Sequence, residues 1–133
     1  MGTKRSKSEA IDYLMNYLHK KMEKITSLVP CIRAYHIHFT DEPHNPYGGF
    51  FTVSYEPTMF IAQLCVFKNL IDGFQKTENE DAFLRFVDVA LCHEIGHCII
   101  WELKGYEELV EKTASIIGYI LFEAIQDENP YNT

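Results

Sequence analysis

Apolar residues recur at helical spacing near the start of the chain: Ile11, Leu14, Met15, Leu18, Met22, Ile25 and Leu28. Steps of three and four put them on one face, so the pattern predicts an amphipathic helix over 9–28, capped by Ser8 and followed by Pro30. The spacing then changes. "CIRAYHIHF", 31–39, is rich in β-branched and aromatic residues and predicts a strand. A turn-rich stretch, "TDEPHNPYGG", separates it from a second strand, "FFTVSY", at 50–55. "TMFIAQLCVF", 58–67, predicts a third strand, although helical spacing competes there. Thr77 and Glu80 have the spacing of a capping box. They open a predicted helix from about 80 to 104, closed by Gly105, and a last helix runs from about 107 to 126 before Pro130. The order α, β, β, β, α, α defines a small α+β domain: an N-terminal helix, a mostly antiparallel three-stranded sheet and two closing helices. That domain covers 9–128, between a basic, solvated tail at 1–8 and a short C-terminal tail at 129–133.

Composition narrows the setting. A chain of 133 residues that is 47% hydrophobic can bury one core without disulfides. Its four cysteines are irregularly spaced, with no CxxC pair, which fits a reducing compartment. No apolar run is long enough to span a membrane and no leader opens the chain, so a cytoplasmic protein is expected. The start, "MGTKRS", also fits the loose N-myristoylation pattern, which matters only in a eukaryotic cell. A net charge of −7 argues against a nucleic-acid partner, which calls for a basic face.

Against this background one segment is chemically out of place. "VALCHEIGHCII", 89–100, is nearly all apolar except for His93, Glu94 and His97. A helix apolar all round is a buried one, and buried ionisable groups are costly unless paired or bound to a metal. The three residues spell H-E-x-x-H. Positions i and i+4 of a helix lie about 40° apart, so both imidazoles leave one face a turn apart, as two ligands of one ion require. Glu94 sits about 60° from His97, beside the ion, where it can take a proton from a metal-activated water. Zinc suits such a site: it accepts neutral imidazoles and lowers the pKa of bound water to about 7. The expected cofactor is therefore one Zn²⁺ per chain.

A catalytic zinc keeps three protein ligands. If the chain turns back at Gly105, the residue level with His97 on the return helix is about 113. Glu111 lies about 3 Å from that level, whereas Glu107 and Glu108 lie about 8 to 9 Å nearer the turn and Glu123 overshoots. Glu102 points away from the histidine face. Glu111 is thus favoured, with Glu107 and Glu108 as alternatives. Small residues on its stripe, Ala114, Ser115 and Gly118, with Gly96 inside the motif, would let the two helices approach closely.

"HEIGH" followed by "EKTAS" resembles the gluzincin branch of the zinc metallopeptidases. The small size and element order are similar to the minimal gluzincins and to the ImmA/IrrE class of short peptidases. The resemblance implies a minimal zincin-like fold in which the first closing helix is the active-site helix. It also implies His93, His97 and Glu111 as zinc ligands and Glu94 as general base. Where several gluzincins carry an Asp that supports a histidine ligand, this chain has Ser115; Asp88 could take that part from elsewhere. The function expected is a zinc metalloendopeptidase acting on a protein or peptide substrate, which adds a strand to 50–55 or 58–67. The alternative is a metal-binding regulatory module with little or no general proteolysis. Tyr106 and Tyr119 are the nearest candidates for an oxyanion stabiliser. His36 and His38 share one strand face and could hold a second metal, though such pairs are more often sheet surface. His19 and His44 are expected on the surface, and Cys92 and Cys98 in the core.

Overall fold

The computed structural model describes residues 5–41, 49–56, 58–100 and 107–126, with only the backbone at 107–110. Seven elements follow in order: α1 (Lys7–Leu28), β1 (Ala34–Phe39), β2 (Phe51–Glu56), β3 (Ile61–Val66), α2 (Lys68–Lys76), α3 (Glu80–Ile99) and α4 (Glu107–Ala124). The α+β class stands, and the helix–sheet–helix–helix order holds with one short helix, α2, added between the sheet and the last two helices. Among the described residues no helix is long and apolar enough to cross a membrane.

α1 begins two residues earlier than its apolar pattern suggests. Its cap is Ser6, not Ser8: the Ser6 hydroxyl accepts from Glu9 N–H, and the Glu9 carboxylate accepts from Ser6 N–H. Ala10, Leu14, Leu18, Met22 and Ile25 form its buried stripe. Nor is the basic start simply solvated. The Arg5 guanidinium makes two hydrogen bonds to Glu80, both 3.1 Å, and lies 4.2 Å above the Tyr13 ring.

The sheet has the order β1-β3-β2 and is mixed, where a mostly antiparallel one was expected. β1 runs parallel to β3, with Ile37 opposite Leu64, and β2 runs antiparallel to it, with Val53 opposite Leu64. One face carries Tyr35, Ile37 and Phe39 beside Ala62, Leu64 and Val66 and beside Phe51, Val53 and Tyr55; it packs on the helices. The other face carries His36, His38, Gln63 and Ser54 and is open. α1 lies against β1 and α2, and α3 against β2 and α4.

Phe60, just before β3, has a backbone φ of 59°, in the left-handed region. Its carbonyl accepts from Arg33 N–H at 2.8 Å and Ala34 N–H at 3.3 Å, and the Arg33 guanidinium lies 4.7 Å above its ring. α2 has no counterpart among the predicted elements. It buries Leu70, Ile71 and Phe74, and its C-cap is Thr77. The cap of α3 is consequently Asn79, whose side chain accepts from Ala82 N–H at 3.1 Å.

Candidate metal centre

α3 carries core residues on one side, Leu84, Val87, Leu91 and Ile95, and meets α4 on another. Their approach is as close as backbones allow. A Cβ on Gly96 would lie 2.5 Å from the Ala114 carbonyl oxygen, and one on Gly118 would lie 3.0 Å from both Cys92 O and His93 Cα. The small-residue stripe thus does what its spacing suggests. With Gly96 against Ala114, His97 comes level with residue 113, two residues from Glu111.

That register brings the ligand candidates together. His93, His97 and Glu111 each offer one donor atom within 4.8 Å of the others. Nε2 of His93 and Nε2 of His97 are 3.2 Å apart. Glu111 places Oε1 at 2.9 Å from His97 Nε2 and Oε2 at 3.5 Å from His93 Nε2. The donor set can be tested against zinc. Tetrahedral bonds of about 2.0–2.1 Å put neighbouring donors about 3.3 Å apart; the two Nε2 atoms stand near that spacing, whereas Glu111 meets the two rings through different oxygens, and single donor atoms of the three residues lie within 4.8 Å of one another. Two neutral imidazoles and a carboxylate also match zinc in kind. The three residues could therefore hold such an ion.

The surroundings favour the same protonation states. Burial pushes the His97 imidazole below its ordinary pKa, against a smaller opposing effect of Glu111, so its neutral form is favoured. Ser115 Oγ lies 3.3 Å from His93 Nδ1. In the tautomer protonated at Nδ1, that ring donates to Ser115 and leaves Nε2 bare toward His97 and Glu111. Ser115 therefore stands where it can orient the His93 ring. Asp88 does not share that part: it is 3% exposed and bound to Tyr17 and Lys21, on another side of α3.

Glu94 is half-buried next to the ligands. Burial first, and the Glu111 charge second, push its carboxyl up to about 7, so it exchanges its proton near neutrality. The histidine side chains are 31% and 26% exposed and Glu111 is 63% exposed, so the donors open to solvent.

The remaining candidates fall elsewhere. His36 and His38 stand on the open sheet face, and among the described residues they belong to no group of three potential ligands. His19 is half-buried rather than at the surface; its ring Nδ1 is 3.1 Å from the Tyr35 hydroxyl. Tyr119 hydrogen-bonds Glu123 on the outside of α4. Cys92 and Cys98 are core residues, their thiols pushed up to about 12 by burial. Glu102, Gly105, Tyr106, His44, and the side chains of Glu107 and Glu108, lie outside the described residues.

Compared with known proteins, the chain matches no protein-family model and shows no significant similarity to a curated protein or a solved structure.

Proposed function

We propose that the protein is a zinc-dependent metallopeptidase of gluzincin type. One observation carries this reading: His93 Nε2, His97 Nε2 and the Glu111 carboxylate converge, with one donor atom from each within 4.8 Å of the others, as a group that could hold a single ion. When bound, zinc supplies a Lewis acid and makes water acidic enough to ionise near neutral pH. The chain's own residues do the rest. His93, held by Ser115, and His97 present bare nitrogens, and Glu111 closes the third side from α4. Glu94 takes a proton from the attacking water at a carboxylate oxygen and returns it to the leaving amine, the role its raised pKa suits.

The substrate in this reading is an extended peptide. β3 is paired on both sides, so among the described residues β2 is the strand, of the two considered for pairing with substrate, that has an outer edge, and β2 packs on α3. A cytoplasmic location belongs to the same reading and is supported by four cysteines that form no disulfide. The net charge of −7 speaks against a nucleic-acid partner.

The test pairs metal content by mass spectrometry with hydrolysis of a broad peptide library. One zinc per chain is expected, weakened in Glu111→Ala, together with cleavage that falls about 10²- to 10⁴-fold in Glu94→Gln while zinc stays bound. Zinc without cleavage of any peptide would favour the regulatory module instead. A chain that takes up no metal when zinc is offered would remove both readings.

A further inference from the structure

α4 is a helix with two apolar faces. From Thr113 to Phe122 it reads "TASIIGYILF", ten residues without a charge. A helix apolar all round is one that is covered all round. α4 packs on α3 by one side, where Ala114, Gly118 and Leu121 are buried. On its outer side Ile116, Tyr119 and Ile120 are 63%, 65% and 64% exposed. Among the described residues no other helix exposes three large apolar side chains. Ten residues rise about 15 Å, half the hydrocarbon core of a bilayer, so this run is not a membrane span.

A charge of each sign closes the exposed stripe. At 100° per residue, Lys112, Ile116, Tyr119, Ile120 and Glu123 fall in one band about 100° wide. Lys112 stands about 6 Å before Ile116 along the axis, and Glu123 about 4.5 Å beyond Ile120. The midpoint between the two charges and the midpoint between the two isoleucines therefore agree to about 0.8 Å. A twofold axis through that point lays the apolar stripe on itself and sets Lys112 beside the partner's Glu123. A parallel pair would instead bring like charges together.

We propose that the protein associates with a second copy of itself through this face, α4 lying antiparallel on α4. Lys112 already has a contact within its own chain, and the pairing needs only the sign of its charge, which that contact leaves in place. Glu123 accepts from the Tyr119 hydroxyl, and a carboxylate has further lone pairs for an ammonium. Three apolar side chains a side offer less than the roughly 800 Å² per partner of a standard interface, so the dimer is weak and reversible. Glu111 lies about 140° around α4 from Ile116, so the face and the candidate metal centre are separate.

The experiment is sedimentation equilibrium of the full-length chain from about 5 µM to about 0.5 mM, with and without a chelator, beside amide shifts on dilution. A monomer–dimer equilibrium is expected, unchanged by the chelator, with shifts centred on the outer side of α4. Ile120→Ser should weaken it about tenfold or more. That side chain is exposed, so the fold should survive, which circular dichroism checks. Phe86→Ser, which removes the most exposed apolar side chain of α3, should leave association as it was. Lys112→Glu should weaken the dimer, and Lys112→Glu combined with Glu123→Lys should restore it. A single monomeric species at every concentration overturns the proposal. So does association that chelation abolishes, that Ile120→Ser leaves intact, or that the double charge reversal fails to restore. A monomer whose α4 signals shift only on vesicles of phosphatidylcholine and phosphatidylserine assigns the face to a membrane surface and overturns it as well.

Discussion

α3 carries ionisable groups on two flanks within ten residues, and the two solve the same problem differently. At Asp88 the carboxylate is buried and complete: a hydroxyl donates to one oxygen and an ammonium to the other. At His93, His97 and Glu111 the groups point at one another, yet two neutral imidazoles and a carboxylate are mostly acceptors. Only one ring can place a proton between Nε2 atoms 3.2 Å apart. The first cluster is satisfied by the chain itself; the second, in the reading proposed above, is completed by a cation. Buried polarity alone therefore does not mark a site. The balance of donors to acceptors does.

Breaking the first cluster should cost the most stability. Asp88→Ala leaves the Lys21 ammonium buried without its partner and should lower unfolding free energy by about 3–5 kcal/mol, read from urea denaturation, with zinc stoichiometry unchanged. Gly96→Ala attacks the second cluster without touching a ligand. Its Cβ would strike the Ala114 backbone, force α3 from α4, cost about 1–3 kcal/mol and weaken zinc binding in a competition titration. Ser115→Ala removes only the group that orients His93; a roughly tenfold loss of zinc affinity is expected, with folding nearly intact.

A pH dependence tests the neighbourhood of the second cluster without removing a ligand. In the metal-free protein Glu94 has a pKa of about 7, above the ordinary 4.5, so the fold prefers its protonated form. Its contribution to stability is present below the ordinary value and is lost as pH rises through 7, because the folded state binds more protons across that window. Subtracting the pH–stability curve of Glu94→Gln from that of wild type should isolate a term that falls with rising pH. A flat difference would show that Glu94 is not held this way.

The legible parts were those written in local periodicity. The α1 stripe, the alternation of β1 and the i, i+4 histidines each depend only on near neighbours in the chain. Even Glu111 followed from rise per residue once a helical hairpin was assumed. What escaped depended on distant partners or on competing local signals. Thr77 has the form of a helix cap, but it ends α2, a nine-residue helix without a side-chain N-cap that is held by Leu70, Ile71 and Phe74 in the core. The parallel pairing of β1 with β3 passes over the intervening β2, which no local pattern encodes. Asp88 was visible as an exception in an apolar run, but Tyr17 and Lys21, some seventy residues earlier, decide its part.

Phe60 ties the strands together in time as well as in space. A side-chain-bearing residue in the left-handed region carries a penalty of about 1–2 kcal/mol. The bonds that offset it here come from Arg33 and Ala34, at the threshold of β1. A β2–β3 hairpin formed alone would carry that strain without those bonds. The turn is relieved only when the first strand docks in parallel on the third, so the sheet gains its last increment of stability all at once. Assembly of this sheet is therefore more cooperative than its three short strands, taken pairwise, would suggest.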